Sequence, residues 1–269
     1  MLLKDIQNFD LNQIADSGQC FRWKKTAKDT YQVIHKNKVV TISQTAAGAV
    51  RLDCGEDEYL ETWQGYFDLA EDYGQIVNSI NPRDEYLVAA GAAAQGIRIL
   101  QQDPWEAMAS FIISQRNNIP RIKKTIERIC EKWGEPIPYK GSVVYTFPRP
   151  EVLENVDPVE LEDTGAYYRA EYLISAAKNH SGRADAWEAK DHQEAYNHLI
   201  QFHGIGPKVA NCICLFGLHH LGAVPKDTWI AKIEETHYKG RFPYWEYPGT
   251  AGIMQQYMFY YERMRQGKI

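Results

Sequence analysis

The chain has 269 residues, of which 44% are hydrophobic and 24% charged, and a formal net charge of −5 at pH 7. This composition is that of a folded globular protein and excludes a disordered chain. The sequence lacks an apolar run of the ~18 residues that a membrane-spanning helix requires, its N-terminus is not typical of a secretory signal, and its five cysteines form no CxxC pair. We therefore expect a cytoplasmic protein with free thiols, without a disulfide framework or a structural zinc site.

Strand-forming residues dominate the N-terminal part of the chain. Residues 30–34 and 38–42 are rich in β-branched and aromatic side chains, and the Lys36-Asn37 pair between them is typical of a turn. A third short run follows at Ala49–Leu52. These segments predict a small antiparallel sheet.

Helical spacing replaces the strand pattern after residue 57. Helices are predicted at 58–69, at 83–94, at Pro104–Ile113 with an apolar stripe of Trp105, Met108 and Ile112, after a break at 118–120 to about Trp133, and at 168–179, 192–202, 207–219, Thr228–Tyr238 and 252–265. Residues 134–150 are rich in Gly and Pro and predict a connector. The prediction is an α+β protein, with an N-terminal sheet domain with flanking helices over residues 1–95 and a mostly helical domain over residues 96–269.

The charge balance offers no general attraction to a polyanion, because the net charge is negative. Charge is nevertheless uneven along the chain: residues 121–132 contain five Lys or Arg and two Glu. By itself this run is more typical of a solvated helix face with ion pairs one turn apart than of a binding surface.

The most informative segment covers residues 199–213, LIQFHGIGPKVANCI. It joins two predicted helices, at about 194–219, through the turn His203-Gly204-Ile205-Gly206. Two glycines permit a positive φ and a close approach of the backbone to another molecule. The helix that starts at Pro207 then offers free N–H groups to an anion such as a phosphate. A plain tight connection between helices explains the same turn.

Lys208 lies in the first turn of that helix, where the helix dipole disfavours a cation by about 0.3–1 kcal/mol. It borders the predicted core stripe and shares a helix edge with Cys212, a setting suited to a nucleophilic amine. The stripe consists of Val209, Cys212, Ile213 and Phe216. Asp227, in GAVPKDTW, precedes the next predicted helix, so it is suited to an N-cap and also lies near enough along the chain to share a cleft with Lys208. An ordinary surface lysine is the alternative for Lys208.

The GIGPK turn followed by VPKDTW resembles the helix–hairpin–helix DNA glycosylase superfamily. Other segments narrow the resemblance to the bifunctional 8-oxoguanine DNA glycosylases/AP lyases: SGQCFRW at 17–23, DPWE at 103–106 with SQRNNIPR at 114–121, and GAYYR at 165–169. The likeness spans about residues 15–260 in the same order.

The resemblance implies a role for each matching residue. Lys208 would be the amine nucleophile and Asp227 the carboxylate that assists it. Backbone amides of Gly204, Gly206 and Val209 would hold a DNA phosphate, often with a monovalent cation at the same hairpin.

Further residues are implied to bind the two bases of the damaged pair. Gly18 would accept a hydrogen bond from N7–H of 8-oxoguanine, Cys212 and Phe259 would sandwich the flipped base, and Gln255 would bind its Watson–Crick edge. The opposite base and the wedge would involve Arg121, Arg169, Tyr168, Asn117 and Asn118. Without the resemblance, Phe259 and Cys212 would be assigned to the core, Arg169 to the surface and Gly18 to a turn.

The chain departs from the family pattern at three positions. His203 stands where proline is usual, Arg116 where a family asparagine fills the space left by the flipped base, and Trp229 where many relatives have a histidine that contacts a phosphate. The four-cysteine pattern of the iron–sulfur relatives is absent, so no cluster is expected. These departures affect lesion range and phosphate contacts more than the reaction type.

The sequence therefore predicts a DNA repair enzyme that flips out and excises 8-oxoguanine, preferably opposite cytosine, through a lysine Schiff base, and cleaves the abasic site by β-elimination. Its partner would be double-stranded DNA containing an oxidised purine, bound by a monomer without a cofactor, and no membrane is expected. Its location would be the cytoplasm with the nucleoid, or the nucleus. Two alternatives stay open: a monofunctional alkylpurine DNA glycosylase on the same fold, and a non-catalytic helix–hairpin–helix DNA-binding module.

Overall fold

The computed structural model describes residues 1–46, 48–180 and 190–269. Among these residues, a five-stranded antiparallel sheet has the spatial order β1-β5-β4-β3-β2. Its strands are β1 (Leu2–Leu3), β2 (Trp23–Ala27), β3 (Thr30–His35), β4 (Lys38–Ala46) and β5 (Ala49–Leu52). The chain start forms one edge of the sheet, because β1 pairs with β5.

Alternating burial along the central strands explains why these residues form a sheet. Tyr31 and Val33 on β3 and Val40 and Ile42 on β4 are buried, and they face one side of the sheet. They pack with Trp63 and other apolar residues of the first helices to form the smaller of two cores. The predicted strands at 30–34 and 38–42 are thus confirmed.

Two strands of the sheet, β1 and β2, are not predicted by the sequence pattern. β2 is an edge strand whose residues after Trp23 are all exposed, and Lys24 and Lys25 lie in it. Exposed lysines on an edge protect it from pairing with another chain, but they also remove the apolar alternation by which strands are predicted. β1 has two residues and is too short to give a pattern.

Helices make up most of the remaining described residues. They are Leu11–Asp16, Glu56–Glu58 continued by the π-helical turn Tyr59–Trp63 and by Gln64–Tyr66, Tyr73–Asn78, Glu85–Ala94, Pro104–Ile113, Ile119–Trp133, Pro150–Leu153, Pro158–Leu161 with the π-helical turn Glu162–Ala166, Arg169–His180, His192–Leu199, Pro207–Phe216, Thr228–Tyr238, the 3₁₀ turn Tyr244–Glu246, and Ala251–Arg265. The predicted fold class, a small antiparallel sheet followed by a helical bulk, is confirmed.

The predicted connector at 134–150 is wrong in part, because it contains a β-hairpin. Pro136–Tyr139 (β6) pairs with Ser142–Tyr145 (β7) around Lys140 and Gly141, which both have positive φ. An ion pair of 2.6 Å between Lys140 and Asp53 links the hairpin to the first sheet. Two prolines in β6 suppress the strand pattern, and a two-stranded ribbon tolerates them at its edge.

The helix Pro104–Ile113 is buried around most of its circumference, not only along the predicted stripe. Ala107, Ala109, Phe111 and Ile113 are as buried as the stripe itself. The helix packs against Pro207–Phe216, Arg169–His180 and Ile119–Trp133. It therefore forms the centre of the larger core, around which the candidate site is arranged.

Local capping corrects several predicted helix ends. The predicted helix 207–219 ends at Phe216, followed by Gly217 as C-cap and by His219 at φ 57°. The predicted helix 83–94 starts at Glu85, because the Asp84 carboxylate caps it by accepting the N–H of Leu87 at 2.9 Å. The other predicted ends shift to the bounds given above, and Pro104–Ile113 and Thr228–Tyr238 agree with the prediction.

Candidate active site

The turn between His192–Leu199 and Pro207–Phe216 is built around Gly204. This glycine has φ +82°, and a Cβ on it would lie 2.2 Å from the ring of Tyr172, so the position requires glycine. Gly206 is extended, at φ −94°, and is the N-cap of the second helix. Only the first of the two glycines therefore uses the conformational freedom expected of both.

The start of the helix Pro207–Phe216 is suited to bind an anion. Gly206 provides no side-chain cap, and the first turn of the helix contains no acidic residue. The first N–H groups are consequently available to an external acceptor. His203 is exposed on the same turn, with its ring centroid 4.9 Å from that of Tyr172.

The charges of Lys208 and Asp227 both act on the thiol of Cys212. The Cys212 side chain is almost completely buried, and half-buried Lys208 lies one helical turn before it on the same helix. Burial raises the pKa of the Cys212 thiol, the Lys208 ammonium opposes this rise, and the Asp227 carboxylate adds to it. The Lys208 Nζ also lies 5.6 Å from the centroid of the Phe111 ring. The structure thus brings together the lysine, cysteine and aspartate singled out in the sequence.

Asp227 combines a structural role with a position near Cys212. Its Oδ1 accepts the N–H of Ile230 at 2.9 Å and caps the helix Thr228–Tyr238. Its Oδ2 accepts no hydrogen bond from any residue that the structure describes. The preceding Lys226 forms an ion pair of 2.9 Å with buried Glu234, which fixes the chain that leads to Asp227. One carboxylate oxygen is therefore held in place while the other stays available.

Gly18 and Phe259 come from opposite ends of the chain and lie next to each other. Gly18 has φ +80°, and a Cβ on it would lie 3.5 Å from Cε1 of Phe259. The Phe259 ring also contacts the edge of Trp229, at 6.5 Å between centroids, and the guanidinium of Arg263, at 5.3 Å. Arg263 Nη1 in turn donates to the carbonyl of Asp16 at 2.8 Å, which ties the Gly18 turn to the C-terminal helix.

Gln19 was not singled out by the sequence analysis, yet it holds the Gly18 turn. Its side chain is completely buried, and its Oε1 accepts the N–H of Leu100 at 2.8 Å. Its Nε2 donates to the Arg98 carbonyl at 2.8 Å and to Ser17 Oγ at 2.9 Å. A buried amide of this kind gives no periodic signal in a sequence.

Gln255 lies on the C-terminal helix, 2% exposed. Its Oε1 accepts a hydrogen bond of 3.0 Å from Gln256 Nε2. Its own Nε2 makes no hydrogen bond to any described residue. Gln255 therefore retains an amide donor without a partner.

The asparagines of the 114–121 segment stabilise their own loop. Asn118 Oδ1 accepts the N–H of Arg121 at 3.1 Å and caps the helix Ile119–Trp133. Asn117 Nδ2 donates to the Ile113 carbonyl at 3.1 Å, and its Oδ1 accepts the N–H of Asn118 at 3.0 Å. Arg116 is exposed with φ 47°. The loop thus presents its arginines to solvent and uses its asparagines as caps.

The two arginines of the expected opposite-base site differ in environment. Arg121 is exposed, and its guanidinium lies 5.9 Å from the Tyr167 ring centroid. Arg169 is only 5% exposed. The Arg169 guanidinium donates to the carbonyls of Gln115 (Nε, 2.8 Å; also Nη2), Ala166 (3.2 Å) and Arg116 (3.3 Å). Contact between Arg169 and an external base would require these bonds to open.

Metal-binding side chains do not cluster in the described part of the chain: no group of three or more His, Cys, Asp or Glu could hold a metal ion there. The five cysteines, all within described ranges, are free thiols. Over the same ranges, helices are too short or too polar to cross a bilayer.

Comparison with known proteins gives consistent matches over nearly the whole chain. Residues 1–108 match the family model of the 8-oxoguanine DNA glycosylase N-terminal domain, and residues 109–239 match that of the HhH-GPD superfamily of base excision DNA repair proteins. An N-glycosylase/DNA lyase of Saccharomyces cerevisiae is 32% identical over 85% of this chain and 68% of its own length. A probable N-glycosylase/DNA lyase of Methanothermobacter thermautotrophicus is 27% identical over 97% of this chain and 98% of its own.

Solved structures show the same likeness. The 8-oxoguanine glycosylase/lyase of Clostridium acetobutylicum, in complex with double-stranded DNA containing cytosine opposite 8-oxoguanine, superposes with a TM-score of 0.93. It is 36% identical in sequence, and the match covers 98% of this chain and 95% of the relative.

Proposed function

The chain belongs to the HhH-GPD superfamily of base excision DNA repair proteins, and from this we propose that it is a bifunctional DNA glycosylase and lyase that removes 8-oxoguanine. The observation that carries the proposal is the position of Lys208 at the start of the helix that follows the Gly204 turn, one helical turn before Cys212, whose thiol is influenced by the charges of both Lys208 and Asp227. A non-catalytic module that only binds DNA phosphates would need neither the Lys208 amine nor the Asp227 carboxylate.

The proposed reaction begins once the damaged base has left the duplex, since its glycosidic bond is inaccessible in the stack. The neutral amine of Lys208 attacks C1′, and the base departs with the bonding electron pair. Opening of the sugar ring gives a Schiff base between Lys208 and C1′. Asp227 stabilises the positive charge that develops on the sugar, accepts the amine proton and passes it to O4′ as the ring opens. The departed base, which left as an anion, then takes the proton from C2′, and β-elimination expels the 3′ phosphate.

The helix start and the turn are proposed to hold the DNA backbone. The amides of Gly204, Gly206 and Val209 would donate to a phosphate next to the flipped nucleotide. A monovalent cation at this turn would find main-chain carbonyl oxygens as ligands, although the Gly204 carbonyl already accepts Gln115 Nε2 at 2.9 Å. We propose the remaining carbonyls of the turn as its ligands.

Gly18 and Phe259 are proposed to bind one side of the flipped base, and Cys212 is proposed to bind the other face of the base. Stacking against aromatic and thiol groups recovers part of the cost of unstacking the base. The unpaired Nε2 of Gln255 suits an acceptor on the Watson–Crick edge. The Gly18 carbonyl would accept N7–H, the proton that 8-oxoguanine has and guanine lacks.

We expect Gly18→Ala to slow excision of 8-oxoguanine by about tenfold to a hundredfold, the value of one hydrogen bond whose loss leaves a buried group unpaired. The added Cβ would only touch Phe259, at 3.5 Å, so the cause is the positive φ of +80°, which alanine resists and which sets the direction of the carbonyl. Single-turnover excision from an 8-oxoguanine duplex measures the effect, and cleavage of a preformed abasic site should be preserved.

Gly141→Ala is the matched control, because Gly141 also has positive φ, at +76°, and its Cβ would meet nothing within 4 Å. It should leave excision unchanged. If Gly18→Ala excises 8-oxoguanine at the wild-type rate, Gly18 has no role in base binding and only forms a turn.

We propose that Arg121 binds cytosine opposite the lesion, and that Arg169 joins it if its carbonyl bonds open, while Tyr168 fills the vacated stack. Arg121→Ala should reduce the preference for cytosine by about 1–3 kcal/mol without lowering Tm, since Arg121 is exposed. Arg169→Ala should lower both the preference and Tm, because it leaves buried carbonyls without donors.

Single-turnover excision from duplexes with C, A, G or T opposite 8-oxoguanine tests this assignment. Lys124→Ala, another exposed cation of the helix Ile119–Trp133, serves as control. Equal slowing for all four opposite bases, together with a weaker salt dependence of binding, would assign the arginines to phosphates instead.

We further propose that the protein acts as a monomer, at the nucleoid of a prokaryote or in a nucleus, and that its N-terminal and helical domains divide between residues 95 and 96. Borohydride reduction separates the proposed function from its alternatives. A monofunctional alkylpurine glycosylase or a non-catalytic binding module forms no Schiff base and yields no trapped adduct on a DNA duplex that contains 8-oxoguanine.

A further inference from the structure

Gln115 connects two parts of the proposed DNA interface that lie far apart in sequence. Its side-chain Nε2 donates to the Gly204 carbonyl at 2.9 Å. Its main-chain carbonyl accepts the guanidinium of Arg169, at 2.8 Å from Nε, and the hydroxyl of Tyr168, at 3.5 Å. One residue thus holds the turn with its side chain and the 165–169 loop with its backbone.

A second contact path joins the same two elements. The Tyr172 ring packs on Gly204, where a Cβ would lie 2.2 Å from it, and is edge-on to Tyr168 at 5.9 Å between centroids. Tyr168 itself is 48% exposed and has the Arg169 guanidinium 4.4 Å from its ring centroid. The exposed side chain of Tyr168 therefore packs on Tyr172, which itself packs on the Gly204 turn.

We propose that Gln115 is a positioning residue that couples the Gly204 turn to Tyr168, so that binding of the DNA backbone at the turn sets the tyrosine for insertion into the duplex. The inference rests on the proposed function, since it assumes a DNA duplex at both elements. Side-chain amides serve this purpose well, because a hydrogen bond to a carbonyl fixes direction as well as distance. The link acts through other residues, so Gln115 needs no contact with DNA.

Gln115→Met keeps the length of the side chain and removes its donor. The Gly204 carbonyl lies at a half-exposed turn, so water can replace the lost donor and Tm should change little. We expect base eversion to slow by about threefold to tenfold, the effect of one ordinary hydrogen bond, with the affinity for undamaged duplex unchanged. Stopped-flow fluorescence of 2-aminopurine placed beside 8-oxoguanine measures eversion, and fluorescence anisotropy measures affinity.

Gln201→Met is the matched control. Gln201 is an exposed glutamine near the same turn, and its Nε2 donates to the Asn197 carbonyl one helical turn earlier. It should change neither eversion nor affinity. Equal losses of affinity and eversion in Gln115→Met would overturn the coupling, because they would indicate that Gln115 only supports the turn.

A double-mutant cycle tests whether Gln115 acts through Tyr168. In a Tyr168→Ala background, Gln115→Met should slow eversion by less than a further twofold, because residues that act as one unit are non-additive. Fully additive effects would overturn the proposal. If the wild-type protein excises 8-oxoguanine and Gln115→Met behaves like Gln201→Met, the coupling alone fails. Absence of excision by the wild type would overturn the proposed function, and this inference with it.

Discussion

Lys208→Gln should abolish strand cleavage at both 8-oxoguanine and preformed abasic sites, with rates lower by several orders of magnitude, as expected for loss of a covalent nucleophile. Glutamine is uncharged and its amide nitrogen is not a nucleophile, so it cannot form a Schiff base. The side chain is half-buried, so folding should survive the exchange. Single-turnover gel assays on a duplex with 8-oxoguanine opposite cytosine measure the loss, and a gel-shift assay should show retained binding.

Lys232→Gln provides the control, because Lys232 is an exposed lysine of the helix Thr228–Tyr238. It should cleave at the wild-type rate. Cleavage by Lys208→Gln at even a tenth of the wild-type rate would remove Lys208 from the proposed mechanism.

Asp227→Asn should slow excision by about 10²–10⁴-fold, the usual contribution of a group that moves a proton or stabilises charge in the transition state. The amide oxygen of asparagine can still accept the N–H of Ile230, so the helix cap and Tm should be preserved. The negative charge that acts on the Cys212 site, however, is lost.

Asp227→Ala separates the two roles of this residue. It should lose the cap as well as the charge, and be less stable than Asp227→Asn by about 0.5–2 kcal/mol in free energy of unfolding. Thermal unfolding and single-turnover excision on the same samples test the comparison. If Asp227→Asn excises at the wild-type rate while only Asp227→Ala is impaired, Asp227 is a cap and nothing more.

The parts of the fold that the sequence predicted are those with a strong local pattern. The strands at 30–34 and 38–42 alternate between buried and solvent-facing positions, and the helices Pro104–Ile113 and Thr228–Tyr238 begin directly after a capping aspartate. The strand β2 and the hairpin β6–β7 lack such patterns, since exposed lysines and prolines replace the apolar alternation. The family and the fold class are confirmed, whereas the domain boundary and the roles of the site residues stay predictions.

The features of the candidate site also divide into those that a local sequence pattern predicts and those that it does not. The neighbourhood of Lys208 and Cys212 follows from helix spacing, whereas the length of chain between Lys208 and Asp227 permits a common location but does not require one. Contacts between distant segments, such as Gly18 with Phe259, have no local signal, and only the family resemblance assigns these two residues to the same base.

Buried polar side chains were the least predictable feature of the site. Without the resemblance, the sequence assigns Arg169 to the surface, but its guanidinium donates to three carbonyls inside the protein. Gln19 and Gln115 were missed because an amide that binds main-chain groups of a distant loop creates no periodicity. Tertiary hydrogen bonds of this kind can be recognised only when both partners are seen together.

The most direct test of the account is to locate the covalent bond to DNA. The protein is incubated with a duplex that contains 8-oxoguanine opposite cytosine, reduced with borohydride, and digested, and the peptide that carries the sugar remnant is sequenced by mass spectrometry. The proposed mechanism predicts one modified position, Lys208. The mechanism would be contradicted by a remnant on another amine, such as that of Lys226, which precedes Asp227 in the chain. Excision of the base without any trapped adduct would also contradict it.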